Sequence, residues 1–168
     1  MGIQIIKGDL LEADVQYICH QTNAKKKMAS GIAKSIREKW PIAYEEYIKW
    51  CEETENKAIE MADAPWDTPD ISELMLGHIK IAPVNNKQFV IHMMAQENFG
   101  YDGKRYTSYD AFCSCLEEIK KQIPKGSNIG FPYKIGSDRG GANWHIIAMM
   151  IKEILSEDYN VYIYKLEE

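Results

Sequence analysis

Apolar and polar positions change their spacing several times along the chain, and each change marks an element. The opening "IQIIKGDL" is rich in β-branched residues and halts at Gly8-Asp9, which predicts a strand running into a turn. "VQYICH" reads as a second, buried strand. From Ser30 onward Ile32, Ala33, Ile36 and Trp40 recur at helical spacing, Pro41 interrupts them, and "YEEYIKWCEE" resumes the pattern. Two helical pieces with a joint are expected there. "ADAPWDTPDIS" places two prolines and three aspartates around Trp66 and predicts the longest irregular stretch.

Beyond it, "LMLGHIKIAPV" and "KQFVIHMMA" are strand-like runs around the polar turn "NNK", as in a hairpin or short connection. "QENFGYDGKRY" is a second polar loop. Thr107, followed by "SYD", forms a variant capping box with Asp110 and is expected to open the helix "SYDAFCSCLEEIKKQI". "IGFPYKI" predicts a short strand, "GSDRGGANW" a glycine-rich turn, "WHIIAMMIKEIL" an apolar helix and "YNVYIYKL" a final strand. Strands alternating with helices predict an α/β domain: a mixed, largely parallel sheet with helices on both faces.

Composition narrows the class. With 168 residues, one domain with a single substantial core is expected over 1–168. Hydrophobic residues at 45% and charged residues at 27% are ordinary for a globular protein. No apolar run approaches the ~18 residues of a membrane span, and the first residues lack the layout of a signal peptide. A cytoplasmic protein without a membrane partner is the expectation. The formal charge of -5 argues against a nucleic-acid coat, although Lys25, Lys26 and Lys27 form a local basic patch. Cys19, Cys51, Cys113 and Cys115 show no metal-ligand spacing, so free thiols and no metal are expected.

The candidate chemistry lies in two segments built alike. "YICHQTNAKKKMASGIAKSI" and "IGFPYKIGSDRGGANWHII" each run strand, glycine-bearing loop, helix. The first residues of a helix carry free N–H groups and the positive end of its dipole, so they hold an anion wherever no side chain blocks the approach. Ala29, Ser30 and Gly31 in one loop, and Gly140, Gly141 and Ala142 in the other, leave that approach open. Two facing cradles match a diphosphate and point to a nucleotide such as ADP-ribose. Neither loop is a P-loop, and the Rossmann fingerprint is missing.

Neighbouring polar residues acquire candidate roles. Asn23 suits the paired hydroxyls of a ribose or is a turn asparagine. Asp9 accepts from an adenine amino group or closes a turn. Tyr164 stacks on a base or is a half-buried strand tyrosine. His20, with a pKa near neutrality, transfers a proton or is a core histidine. Cys19 should point away from it, which disfavours a Cys-His pair.

"KGDLLE", "ICHQTN", "MASGIAKSIREKWP", "YTSYDAF", "IGFPYKIGSDRGGANW" and "NVYIYKL" occur in the order found in the macrodomain family, and the chain resembles that family over nearly its whole length. It is most similar to the branch containing ADP-ribose 1''-phosphate phosphatases and relatives of the terminal ADP-ribose protein glycohydrolase. The resemblance implies a three-layer α/β/α fold with an ADP-ribose cleft. It places Asp9 at the adenine, Asn23 at the distal ribose, and Ser30, Gly31, Ile32 and Ala33 around one phosphate. Ser137, Asp138, Arg139, Gly140, Gly141 and Ala142 surround the other phosphate and the ribose, and Leu10, Gly136 and Tyr164 complete the candidate ADP-ribose-binding set.

In the phosphatase-like members an HxxN motif stands where "HQTN" stands here. This implies His20 as a general acid or phosphate contact, with Asn23 beside it; Asp138, where relatives more usually have glycine, is a candidate for orienting water. The position of the glycohydrolase lysine falls on Gln96, which has no amine to offer. The implied function is a hydrolase of an ADP-ribose derivative, of the 1''-phosphate phosphatase type, needing no cofactor. The alternatives are a non-catalytic reader of ADP-ribose, or a hydrolase that removes ADP-ribose from a macromolecule.

Overall fold

The computed structural model describes residues 1–96, 104–137 and 140–166. Strands β1 (Gly2–Lys7), β2 (Tyr17–Asn23), β3 (Ile79–Pro83), β4 (Phe89–Gln96), β5 (Asn128–Pro132) and β6 (Asn160–Lys165) form one sheet in the order β1-β6-β5-β2-β4-β3. All neighbouring pairs are parallel except β3 with β4, the hairpin that the sequence suggests around "NNK". The sheet is therefore mixed and largely parallel, as expected. Five strands run the same way, so their carboxyl ends share one edge of the sheet.

Helices cover both faces. α1 (Gly31–Lys39), α2 (Pro41–Met61) and the short α3 (Ile71–Met75) contribute to one cluster of buried side chains. α4 (Tyr109–Gln122) and α5 (Trp144–Leu155) pack into a second cluster on the opposite face. Burial on both sides explains why β2 and β4 are almost uninterrupted runs of buried residues with no solvent-exposed face. Among the described residues, no helix is long and apolar enough to cross a membrane.

The joint between α1 and α2 is the single residue Trp40, which ends the first helix and precedes the second. Pro41 takes the first position of α2, where its missing N–H costs nothing.

Three local expectations need correction. The stretch around Trp66 is not wholly irregular: a 3-10 turn spans Pro65–Asp67, and Asp70 starts α3 by accepting from Ser72 N at 3.0 Å. α4 is opened by Ser108, whose Oγ accepts from Ala111 N at 3.1 Å, and not by Thr107. Thr107 is held elsewhere, donating to the Gly136 carbonyl at 2.7 Å. The strand expected over "IGFPYKI" stops at Pro132, where Ile135 N turns back to the Pro132 carbonyl at 3.1 Å. Most of the polar loop "QENFGYDGKRY" lies outside the described residues.

Candidate functional site

A cleft of about 790 Å³ runs along the carboxyl edge of the sheet. Its lining takes Gly8, Asp9 and Leu10 after β1, Tyr164 and Lys165 from β6, the turn after β5, Asn23 from β2 and Gln96 from β4. The start of α1 forms one wall. Ser30 precedes this helix in an extended conformation and makes no side-chain cap, so the first N–H groups have no side-chain acceptor there. Gly31 has φ +60°, and a Cβ there would meet no atom within 4 Å. Ala29, Ser30, Gly31, Ile32 and Ala33 all line the cleft, and the helix presents its positive end to it.

The loop between β2 and α1 is held from below by α2. The buried Tyr47 hydroxyl donates to the Asn23 carbonyl at 2.7 Å and accepts from Lys27 N at 3.1 Å. Burial drives the Tyr47 phenol pKa well above its ordinary value, which keeps it a neutral donor. The Asn23 side chain spans the same loop: Oδ1 accepts from Lys25 N at 2.8 Å and Nδ2 donates to the Lys27 carbonyl at 3.1 Å. One amide hydrogen of Asn23 is left over for a ligand. Replacing Tyr47 with phenylalanine strips one buried and one partly buried backbone group of their partner and should cost about 1–3 kcal/mol. Thermal unfolding and the rate of trypsin cleavage after Lys25–Lys27 both check this, and cleavage should accelerate.

The facing wall differs from the expected second cradle. α5 begins at Trp144, and Asn143 caps it by accepting from His145 N at 2.9 Å, so this helix entrance is closed by its own side chain. Gly141 and Ala142 do not line the cleft. What faces α1 is the turn Pro132–Gly136 together with Gly140. Ser137 N bonds the Lys134 carbonyl at 2.9 Å, and Ala142 N bonds the Gly136 carbonyl at 3.1 Å. Ser137 follows this turn and does not line the cleft. Gly140 must be a glycine, because a Cβ there would stand 2.2 Å from Thr107 Oγ1 and 2.4 Å from the Gly136 carbonyl oxygen. Asp138 and Arg139 lie outside the described residues.

The two ends of the cleft differ in chemistry. At one, Asp9 spends one carboxylate oxygen on Leu11 N at 2.9 Å and keeps the other exposed beside Leu10 and Tyr164. At the other stands a polar group whose pairing is long-range: Gln21 Nε2 donates to Gln96 Oε1 at 2.5 Å and to Thr107 Oγ1 at 2.7 Å. Gln21 Oε1 is buried without a partner among the described residues. Gln21 sits inside "HQTN" and was not singled out by sequence reasoning, since only the approach of Thr107 and Gln96 reveals its place.

His20 does not reach the cleft. It is fully buried, with Nε2 2.7 Å from His92 Nδ1, and His92 Nε2 lies 2.8 Å from the Ala43 carbonyl. A carbonyl only accepts, so His92 carries its proton on Nε2, and His20 Nε2 donates to the bare Nδ1 of His92. His20 Nδ1 has no partner among the described residues. Burial, then the neighbouring His92, holds the His20 pKa well below its ordinary value, and burial brings His92 down to about 4. The proton-transfer role expected of His20 is replaced by that of a neutral core histidine. Cys19 points to the opposite face, into the α4–α5 cluster, as strand alternation requires. All four cysteines are free, and burial raises the thiol pKa of Cys51 to about 11. Among the described residues no group of three His, Cys, Asp or Glu side chains could hold a metal.

A cleft at the carboxyl edge of a mixed α/β sheet, with one open helix entrance, is what the chain offers, and comparison with known proteins identifies the fold. No protein-family model matches the chain. It is 26% identical to a protein of unknown function from Bacteroides thetaiotaomicron, with a TM-score of 0.78 over 98% of both chains. The macrodomain of Thermus aquaticus DarG superposes with a TM-score of 0.70 at 18% identity, over 99% of this chain and 98% of that one. Thermosipho africanus DarTG, solved in complex with ADP-ribose, gives 0.71 at 18% identity over 98% of this chain and 41% of that one. In sequence, the chain is 21% identical to the DNA ADP-ribosyl glycohydrolase of Thermus aquaticus over 97% of its own length, and spans 41% of that protein. The chain has the macrodomain fold.

Proposed function

We propose that the cleft binds ADP-ribose or a derivative of it. The observation that carries this reading is the uncapped start of α1, with its open Gly31, facing a cleft of about 790 Å³. That volume lies within the range of small-molecule sites. The diphosphate rests on the amides of Ser30 to Ala33, with the Pro132–Gly136 turn and Gly140 opposite. The base lies between Asp9, Leu10 and Tyr164, and the distal ribose approaches Asn23. Asp138 and Arg139 belong to the same reading through their place in the sequence, between Ser137 and Gly140. The Thermosipho africanus relative, which carries ADP-ribose, supports the choice of ligand.

A second reading, hydrolysis of the bound derivative, is favoured by the name of the Thermus aquaticus relative, a DNA ADP-ribosyl glycohydrolase. Its substrate is then ADP-ribose 1''-phosphate or ADP-ribose carried on a macromolecule. On this reading Asp138 orients the attacking water, because His20 is sealed in the core and Gln96 offers no amine. Calorimetric titration should give a clear heat with ADP-ribose and at least about tenfold weaker binding of AMP, which lacks the second phosphate and the distal ribose. Absence of heat with ADP-ribose would overturn the ligand assignment. Incubation with ADP-ribose 1''-phosphate and with an ADP-ribosylated DNA oligonucleotide separates the two readings: release of phosphate or of ADP-ribose supports hydrolysis, and binding without release supports a reader.

A further inference from the structure

In this acidic chain Lys26, Lys39, Lys80, Lys120, Lys121 and Lys125 each have a carboxylate partner. Lys134 and Lys165, which line the cleft as Lys27 does, have none among the described residues. Both ammonium groups instead gather at one aromatic ring: Lys165 Nζ lies 4.7 Å and Lys134 Nζ 5.7 Å from the centre of Tyr133. Tyr133 is itself braced by Trp144, with ring centres 5.2 Å apart. Two like charges sharing a ring, with no counter-ion among the described residues, repel one another, and an anion placed between them removes that cost.

The backbone adds a second observation. Lys134 is held at φ 62°, in the left-handed region where a glycine would be free of strain. Strain of this kind gathers at ligand clamps, where the side chain has a use.

Their place along the sheet edge fixes which part of a ligand they meet. Lys165 ends β6, its carbonyl accepts from Gly8 N at 2.9 Å, and Tyr133 N bonds the Tyr164 carbonyl at 2.9 Å. The pair therefore stands beside the Asp9–Tyr164 end, with Asn23 and Gln96 on the strands beyond β5. We propose that Lys134 and Lys165, flanking Tyr133, form a subsite for a phosphoryl group on the adenosine-side ribose, so that the cleft prefers a ribose-phosphorylated ADP-ribose to ADP-ribose itself. This rests on the ADP-ribose reading above and extends it to a third phosphate.

Calorimetry of the whole chain with ADP-ribose and with its adenosine-ribose 2'- and 3'-phosphates tests the proposal. At low salt one of the two monoesters should bind about tenfold tighter than ADP-ribose, with the preference shrinking as salt rises. In the K134Q/K165Q double variant the ratio should fall to within about twofold, while K125Q, far from the cleft, keeps it. The ratio is the readout, so any general change in affinity cancels. Binding of ADP-ribose with no preference for either monoester overturns the subsite and leaves the ADP-ribose reading standing. A preference that survives the double variant removes these lysines from the assignment. No binding of any of the three ligands overturns the ADP-ribose reading and the subsite with it.

Discussion

An Ala33→Glu variant should lose ADP-ribose binding by at least about thirtyfold while folding as well as the parent. Ala33 is the third residue of α1 and lines the cleft. A glutamate at this position completes a capping box with Ser30 and sits at the positive end of the helix, both of which favour the helix. The same carboxylate reaches the amides that the diphosphate needs and repels it. Stability and binding thus move in opposite directions or stability holds still, a pattern that general damage to the protein cannot imitate. Calorimetry gives the affinity, and urea unfolding should place the stability within about 0.5 kcal/mol of the parent or above it. Undiminished binding would show that the ligand does not rest on the α1 entrance.

The second large effect is on acid stability. His20 and His92 are buried as a neutral pair, and both pKa values are held below the ordinary 6.5. As the pH falls through 6.5, the unfolded chain takes up protons that the folded chain refuses, so stability is complete above about 6.5 and declines below it. Between that pH and its folded value of about 4, His92 alone withdraws about 3 kcal/mol. His20 acts in the same direction. A proton on His92 Nδ1 would set donor against donor, and one on the partnerless Nδ1 of His20 would leave a buried charge with no acceptor.

Since a domain of this size is stable by only about 5–15 kcal/mol, urea midpoints should drop sharply from pH 7.5 to pH 4.5. His92→Gln, whose amide reaches toward the Ala43 carbonyl but does not titrate, should flatten the dependence. Equal midpoints at the two pH values would refute the neutral pair.

How much of this could be read from residues alone follows from the range of the forces involved. α1 was legible because Ile32, Ala33, Ile36 and Trp40 repeat at helical spacing, and the hairpin because "NNK" separates two strand-like runs. The choice between Thr107 and Ser108 as a cap was not legible: adjacent hydroxyls compete, and the winner depends on a Gly136 carbonyl far along the chain. His20 misleads for a related reason. Alternation along β2 separates it from Cys19, but the covering of both sheet faces by helices, which seals it, is a tertiary fact.

Likewise "GGANW" offers small residues where a cradle could form, yet Asn143 turns its own side chain onto α5. The wall moves to Pro132–Gly136, whose lysine at φ 62° carries no signature in sequence. The Gln21–Gln96–Thr107 group joins three separate segments and was equally invisible.

The cleft draws residues from Gly8 at one extreme of the chain to Leu166 at the other, joined by the bond from Gly8 N to the Lys165 carbonyl. No contiguous fragment can assemble it, and the first strand must dock on the last before the cleft is complete. Ligand affinity thus acts as a certificate of completed folding. An occupant, by bridging β1, β6, β5 and α1, ties early and late segments into one cooperative unit that frays less at its outer strand.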